Sequence, residues 1–362
     1  MTAKKNQRIR VGIWGIGRAG FGMHLPEIAR YSDKFEVVAA CDIDPTRFEH
    51  LLKSCPNAKT YTDGEAFLAD PKVELVAVAV RSPQHVDYAI RALKAGKYVF
   101  CEKPVALTLA AFDKLARAAA KYPGKLYLRH NRRFEPAFNH LREIMDSGVL
   151  GEIFEIKICR DSFSFRKDWQ SISDCGGGQL NNWGPHIIDQ SLRLLESPVK
   201  SVWSKLRRIH SFGPAEDHVK IVFTGKNGRI VDMEISDSVA IPAPIYTVYG
   251  SRGTLIGDDN DFRMVYVEPS QELPTGKPNR ESPPLGSSFG TVYKLKNIRK
   301  TIMVEPANGE DTQKNYLHLY EAIREGKPYP ITIAEAREVV KWSEQVKKDN
   351  PDFRPHADEF GK

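Results

Sequence analysis

Three groups of residues in this 362-residue chain have types and spacings that suit chemistry. The first is Gly15-Ile16-Gly17-Arg18-Ala19-Gly20, a G-x-G-x-x-G triplet between the strand-like run 9–14 and a helix-like stretch over 18–31. In that setting the first glycine permits a tight turn. The second admits a pyrophosphate to backbone N–H groups, and the third lets helix and strand pack closely. The helix N-terminus adds positive dipole. Asp42 lies 22 residues past Gly20, at the end of a second apolar run. A carboxylate there accepts both ribose hydroxyls of NAD and repels a 2′-phosphate. Arg47 close by softens that repulsion, so the expectation is NAD, with NADP possible. Gly15, Ile16, Gly17, Gly20 and Asp42 are the expected cofactor contacts.

The second group follows two further apolar runs. Arg81-Ser82-Pro83-Gln84-His85 comes after 73–80, and Glu102-Lys103-Pro104 after 98–101. If the runs are parallel strands, both segments sit at their carboxyl ends, where doubly wound sheets bind ligands. Alone, Lys103 reads more readily as a solvated lysine. The third group is Gly176-Gly177-Gly178-Gln179-Leu180-Asn181-Asn182-Trp183-Gly184-Pro185-His186-Ile187-Ile188-Asp189, a glycine run leading into a helix that carries His and Asp.

The elements that must position these residues show in the hydrophobic pattern. Over 8–130, short apolar runs (9–14, 35–41, 73–80, 98–101, 126–128) alternate with amphipathic stretches (18–31, 45–54, 85–95, 109–121). Such repeats predict a doubly wound parallel sheet. After Asn131 one helix (134–145) precedes long alternating segments at 153–160, 199–210, 218–224, 230–238 and 246–250, read as lacking intervening helices. An antiparallel sheet is the simplest reading. Residues 268–290 hold five prolines among Gly and Ser and predict a loop; helices at 311–325 and 333–348 close the chain. The expected domains are 1–130 and 131–362, with the terminal helices able to pack back on the first.

Composition excludes several classes. The chain is 41% hydrophobic and 27% charged, and its net charge of +7 is spread along it. The densest basic run, Arg129-His130-Asn131-Arg132-Arg133, is too short and interrupted to argue for nucleic acid. No apolar run reaches the ~18 residues of a membrane helix. The polar start MTAKKNQRIR predicts no signal peptide, so a cytoplasmic protein is expected. Five scattered cysteines without C-x-x-C support neither a disulfide framework nor a zinc ribbon. His186 and Asp189 lack a third ligand nearby, so no metal is expected. No G-x-S-x-G elbow argues for a hydrolase.

Taken together, the G-x-G-x-x-G, the E-K-P of Glu102-Lys103-Pro104, the R-R-F of Arg132-Arg133-Phe134, the G-G-G…G-x-H-x-x-D segment and the turn Gly250-Ser251-Arg252-Gly253-Thr254-Leu255 resemble the Gfo/Idh/MocA family over almost the whole chain. The resemblance implies an α/β protein: an N-terminal Rossmann domain and a C-terminal α/β domain on an open, mainly antiparallel sheet. It also implies homodimers or homotetramers built through that sheet, and oxidation of a sugar, sugar derivative or cyclitol at a secondary alcohol, or reduction of the ketone. By the same resemblance Lys103 meets the nicotinamide ribose region and the reacting hydroxyl, and His186 is the acid/base or its close partner.

That assignment suits the reaction. Hydride leaves a carbinol as its hydroxyl proton departs, which calls for a base whose pKa lies near working pH. A neighbouring ammonium steadies the oxygen and keeps the imidazole neutral. The chain departs from the family at Asn182, where Asp is common four residues before the histidine. Asn orients a hydroxyl or a ring but takes no proton, so proton transfer falls on His186, alone or with Lys103, and Asp189 is a candidate to orient the ring. Ser82, His85, Glu102 and Asn131 are further cofactor-contact candidates, and Arg160, Asn182, Lys103 and His186 substrate-contact candidates. Asp161 and Trp169 are weaker ones, and His24 reads as structural. Two other readings stay open: an enzyme that retains NAD and oxidises only transiently, for elimination, hydrolysis or epimerisation, and a non-catalytic dinucleotide sensor.

Overall fold

The computed structural model describes residues 7–283, 285–286, 293–305 and 311–353. Part of the predicted 268–290 loop and the first six residues lie outside that set. The first half is built on β1 (Ile9–Trp14), β2 (Phe35–Cys41), β3 (Lys59–Tyr61), β4 (Leu75–Val78), β5 (Tyr98–Cys101) and β6 (Leu126–Leu128). They form one parallel sheet in the order β3-β2-β1-β4-β5-β6. The order reverses at β1/β4, which opens a crevice at the strands' carboxyl ends. The connecting helices are α1 (Leu25–Arg30), α2 (Phe48–Ser54), α3 (Gly64–Ala69), α4 (His85–Lys94) and α5 (Leu109–Ala119). α1 follows a π-helical turn, Gly20–His24. α5 starts as its sequence predicts, with Thr108 Oγ accepting from Ala111 N–H.

The second half opens with α6 (Pro136–Asp146) and β7 (Ile153–Asp161), then the short α7 (Gln179–Asn182) and the buried α8 (Gly184–Leu195). There follow β8 (Val199–Arg207), β9 (His218–Gly225), β10 (Ile230–Ser236), β11 (Tyr246–Gly250), β12 (Gly253–Gly257), β13 (Asp261–Val267) and β14 (Asn297–Met303). The eight strands run in the order β14-β13-β12-β11-β7-β10-β9-β8. The ladder is antiparallel except at β7/β10, which pair in parallel, so the sheet is mixed. The reason is topological: β7 is parted from β8 by the glycine-run segment and α8, a crossover long enough to return the chain in the same direction. α6 and α8 cover one face, with Phe138, Leu141, Ile187 and Ile188 packed on Ile156, Ile158, Val231 and Met233. The other face presents Lys157, Lys220, Glu234 and Trp203, the last 58% exposed.

The last helices, α9 (Asn315–Tyr320) and α10 (Ile333–Asp349), tie the halves together. Tyr316, Leu319 and Tyr320 join Ile9, Phe35 and Phe100 beneath the first sheet. α10 puts Ala336 and Val340 into the first half's core and Val339 and Val346 into the second's. The predicted 311–325 helix is in fact interrupted, with α9 passing into a π-helical turn, Glu321–Glu325.

Candidate active site

A cleft of about 820 Å³ runs between the two halves, over the carboxyl ends of β1, β2, β4 and β5. The glycine triplet forms one end. Gly15 has φ +98°, and a Cβ on it would meet the Ala79 carbonyl oxygen at 2.6 Å. A Cβ on Gly20 would lie 2.0 Å from the Gly15 carbonyl oxygen. Gly17 differs: its Cβ would meet only Arg47, at 3.5 Å, and it lines the cleft. The first and third glycines therefore serve the fold, and the second leaves room for a ligand against the backbone. This cradle fits a dinucleotide pyrophosphate. Asp42 lines the same end. It accepts from Ile16 N–H at 2.6 Å and Asp44 N–H at 2.9 Å, and Arg47 donates to it at 3.2 Å. Ile16 corrects an expectation: its N–H is taken by Asp42 and its side chain packs with Ala40 and Leu51, away from the cleft.

Past the switch point, Ser82 and His85 line the cleft from the turn after β4. The His85 ring is a clamp. Its nitrogens lie 2.7 Å from the Pro104 carbonyl and 3.0 Å from the Val80 carbonyl, so it joins two loops and offers nothing free to a ligand. Glu102 is an anchor beneath the cleft. Its carboxylate accepts from Arg129 at 2.6 Å and from the Lys103 N–H at 3.1 Å, and pairs with His24 at 3.0 Å. Arg129 also pairs with Glu27. The Lys103–Pro104 peptide is cis.

Lys103 crosses to the other half, where its Nζ donates to the Asn182 carbonyl at 2.8 Å. Asn131, Asn182 and His186 line the cleft beside it. Burial, with the nearby Arg129, Arg132 and Arg18 charges, outweighs Glu102 and lowers the Lys103 pKa to about 8. Burial, then Lys103, Arg132 and His130, holds the His186 imidazole well below its usual value, hence neutral. An ammonium near its pKa and a neutral imidazole on one cleft suit proton transfer at an alcohol oxygen.

Two expectations need correction. Arg160 does not line the cleft; its guanidinium pairs with Glu135 at 2.9 Å and Asp259 at 3.0 Å. Asp189 does not orient His186, because both its oxygens accept from Arg133. Asp161 also lies outside the lining, whereas Trp169 is part of it. Arg132, Arg166, Gln170 and Trp183 line the cleft too, and were not singled out in the sequence. The Arg132 guanidinium lies 4.0 Å from the Trp183 ring. Both residues lie inside quoted motifs, Arg132 in R-R-F and Trp183 in the glycine-run segment, and that is the signal that could have found them. Among the described residues no group of three or more His, Cys, Asp or Glu is placed to hold a metal.

Comparison with known proteins follows the same division. The NAD-binding Rossmann-fold model of the GFO/IDH/MocA oxidoreductases matches 9–130, and the C-terminal domain model of that group matches 138–256. The chain belongs to the GFO/IDH/MocA family. It is therefore an oxidoreductase with a nicotinamide-dinucleotide site. An oxidoreductase of Schizosaccharomyces pombe without an assigned activity is 32% identical over 258 residues, 68% of this chain and 70% of its own. The scyllo-inositol 2-dehydrogenase (NADP(+)) IolW of Bacillus subtilis is 27% identical over 362 residues, 97% of this chain and 96% of its own. Among solved structures, an NAD-binding protein from Listeria innocua is similar with a TM-score of 0.78 and 26% identity, over 98% of this chain and 99% of that one.

Proposed function

We propose that this family member is an NAD(P)-dependent dehydrogenase acting on a secondary alcohol, or the corresponding ketone, of a sugar, sugar derivative or cyclitol, with NAD preferred. The observation that carries the reading is the convergence of Lys103 and His186, from opposite halves, on the cleft that begins at the glycine triplet. IolW, whose name is that of an inositol dehydrogenase, supports the substrate class. When bound, the nicotinamide exchanges a hydride with the substrate carbon. Lys103 donates a hydrogen bond to the reacting oxygen, and His186 takes or returns the hydroxyl proton. Asn182 and Asn131 hold neighbouring hydroxyls, and the Trp169 and Trp183 rings offer apolar walls.

Asp42 supports the NAD preference, since its carboxylate meets the adenosine ribose end of the cleft. Arg47 is the counterweight: its side chain already lies on Asp42 and, turned outward, would meet a 2′-phosphate. The uncovered face of the second sheet is the surface on which a homodimer or homotetramer would form, which light scattering checks. Among the described residues no helix is long and apolar enough to cross a membrane.

A panel of inositols, aldoses and their oxidised forms, followed at the nicotinamide absorbance with NAD and with NADP, tests the reading. Turnover of at least one alcohol, faster with NAD, is expected. No absorbance change with any compound and either dinucleotide would overturn it.

A further inference from the structure

His186 has lost the neighbours that usually orient a catalytic imidazole. Residue 182 is an amide, and Asp189 is consumed by Arg133. Yet its Nδ1 is buried with no hydrogen-bond partner, while the ring lines the cleft, so Nε2 is the nitrogen that faces it. A buried polar atom of this kind calls for an explanation. A second one stands nearby. His130, at the end of β6, is 2% exposed, does not line the cleft, and has neither ring nitrogen paired.

The fold holds the two residues in one packed unit. The turn Asn131–Phe134 lies on α8, joined by the Arg133–Asp189 pair and by Gln190 donating to the Arg132 carbonyl at 2.9 Å. His186, Asp189 and Gln190 share one helix face by i, i+3 and i+4 spacing. His130 immediately precedes the turn that this face meets. The Asn131 Oδ1 is a third buried acceptor without a partner there.

We propose that His130 is the positioning residue of His186: their ring nitrogens meet across one buried water, so that His186 carries its proton on Nδ1 and keeps Nε2 as the acceptor in the cleft. The proposal rests on the dehydrogenase reading for its catalytic meaning. A buried water there would have up to three polar partners, which is the usual number.

The pairing moves charge as well as fixing a tautomer. As the substrate O–H proton reaches Nε2, the Nδ1 proton passes to His130. The carbinol hydrogen leaves with its bonding pair to the dinucleotide, so protons and electrons balance. Lys103 and Arg132 oppose a cation on His186, and only Glu102 favours one. Burial opposes a cation on His130 most, as it does on His186; of the charges around His130, Asp189 and Glu102 favour a cation and Arg133 and Lys103 oppose it. The relay therefore carries positive charge away from the ammonium and toward a carboxylate.

Ring-nitrogen NMR of ¹⁵N-histidine-labelled full-length protein, with and without saturating NAD, reads the tautomers without turnover. The expected result is His186 protonated at Nδ1 and bare at Nε2, with that preference lost in His130→Phe. In kinetics, His130→Phe lowers kcat by ~10- to 100-fold, the usual effect of losing an outer-sphere orienting group, and leaves the Kd for NAD unchanged. His130→Gln accepts from Nδ1–H but cannot carry the proton. It restores the tautomer, recovers only part of kcat, and stands in where the Phe variant does not fold. A His186 protonated at Nε2 in the unaltered protein, or a His186 signal indifferent to residue 130, overturns the pairing. Loss of the dehydrogenase reading looks different: no alcohol turns over, whatever the tautomer.

Discussion

Lys103 is the residue on which the proposed chemistry turns. With burial and nearby arginines lowering its pKa to about 8, it sits near neutrality and is poised to share a proton. Lys103→Met removes the donor and keeps the bulk. Its kcat is expected to fall by ~10² or more, with a smaller change in dinucleotide affinity, measured by steady-state kinetics beside NAD titration. The cofactor end makes its own prediction. Asp42→Ala leaves Arg47 with Asp44 as its one remaining carboxylate partner and removes the charge that repels a 2′-phosphate. The NAD/NADP ratio of kcat/KM should shift toward NADP by about tenfold or more, about 1.4 kcal/mol, and an unchanged ratio would remove Asp42 from the specificity argument.

At this scale the sequence was readable where a motif states its own geometry. Gly15, Gly17, Asp42, Lys103, Asn182 and His186 all reach the cleft. It misled where a side chain's partner comes from far away in the chain. Arg160 is committed to Asp259, 99 residues on, and nothing near either residue announces the pair. His85 spans carbonyls from two loops, one of them in the E-K-P turn.

Among elements, the strand–glycine–helix unit invites a paired experiment. Gly20→Ala forces a methyl against the Gly15 carbonyl, so the helix must shift. A loss on the order of 1–3 kcal/mol is expected, typical of overpacking, seen as a lower Tm without ligand. Gly17→Ala meets only the Arg47 guanidinium, at ordinary contact distance, so its Tm should hold while the NAD-induced thermal shift collapses. Equal destabilisation by both would mean that the second glycine serves packing, not a ligand. The elements also mark the limits of pattern reading. β3 is a three-residue strand, Lys59–Tyr61, with no apolar run to reveal it. β14 is an edge strand, Asn297–Met303, exposed along most of its length and rich in Lys and Arg, as edges tend to be. The turn read over 250–255 is the corner of a hairpin, β11 to β12, and alternation alone did not show that β7 and β10 pair in parallel.

For the molecule as a whole, two glutamates packed around α10, the half-buried Glu335 and the buried Glu216, have opposite pH dependence. Glu335 caps α10 and accepts from Arg133 and Arg193. Burial works against its charge, yet the two arginines and the Thr332 N–H hold its pKa at about 2. Its contribution is present above the ordinary glutamate range and is lost as pH falls toward 2. Glu216 does the reverse. It lies under the glycine run, accepting from Leu180 N–H at 2.9 Å, and burial raises its pKa to about 7 despite that bond and the Lys347 charge. Its protonated form fits the fold, so the stability it confers is full below about pH 4.5 and fades as pH rises through 7. Glu216→Gln keeps a neutral side chain of the same shape. The variant's Tm should match the unaltered protein's near pH 5 and exceed it at pH 8, by at most about 3 kcal/mol in stability. Lys347 sharpens the test: it is buried beside Glu216 and donates to Asn181 at 2.8 Å. If the Lys347–Glu216 attraction outweighs burial, the variant instead loses stability at pH 8. The sign of that difference decides whether the carboxyl beneath the glycine run is neutral or part of an ion pair.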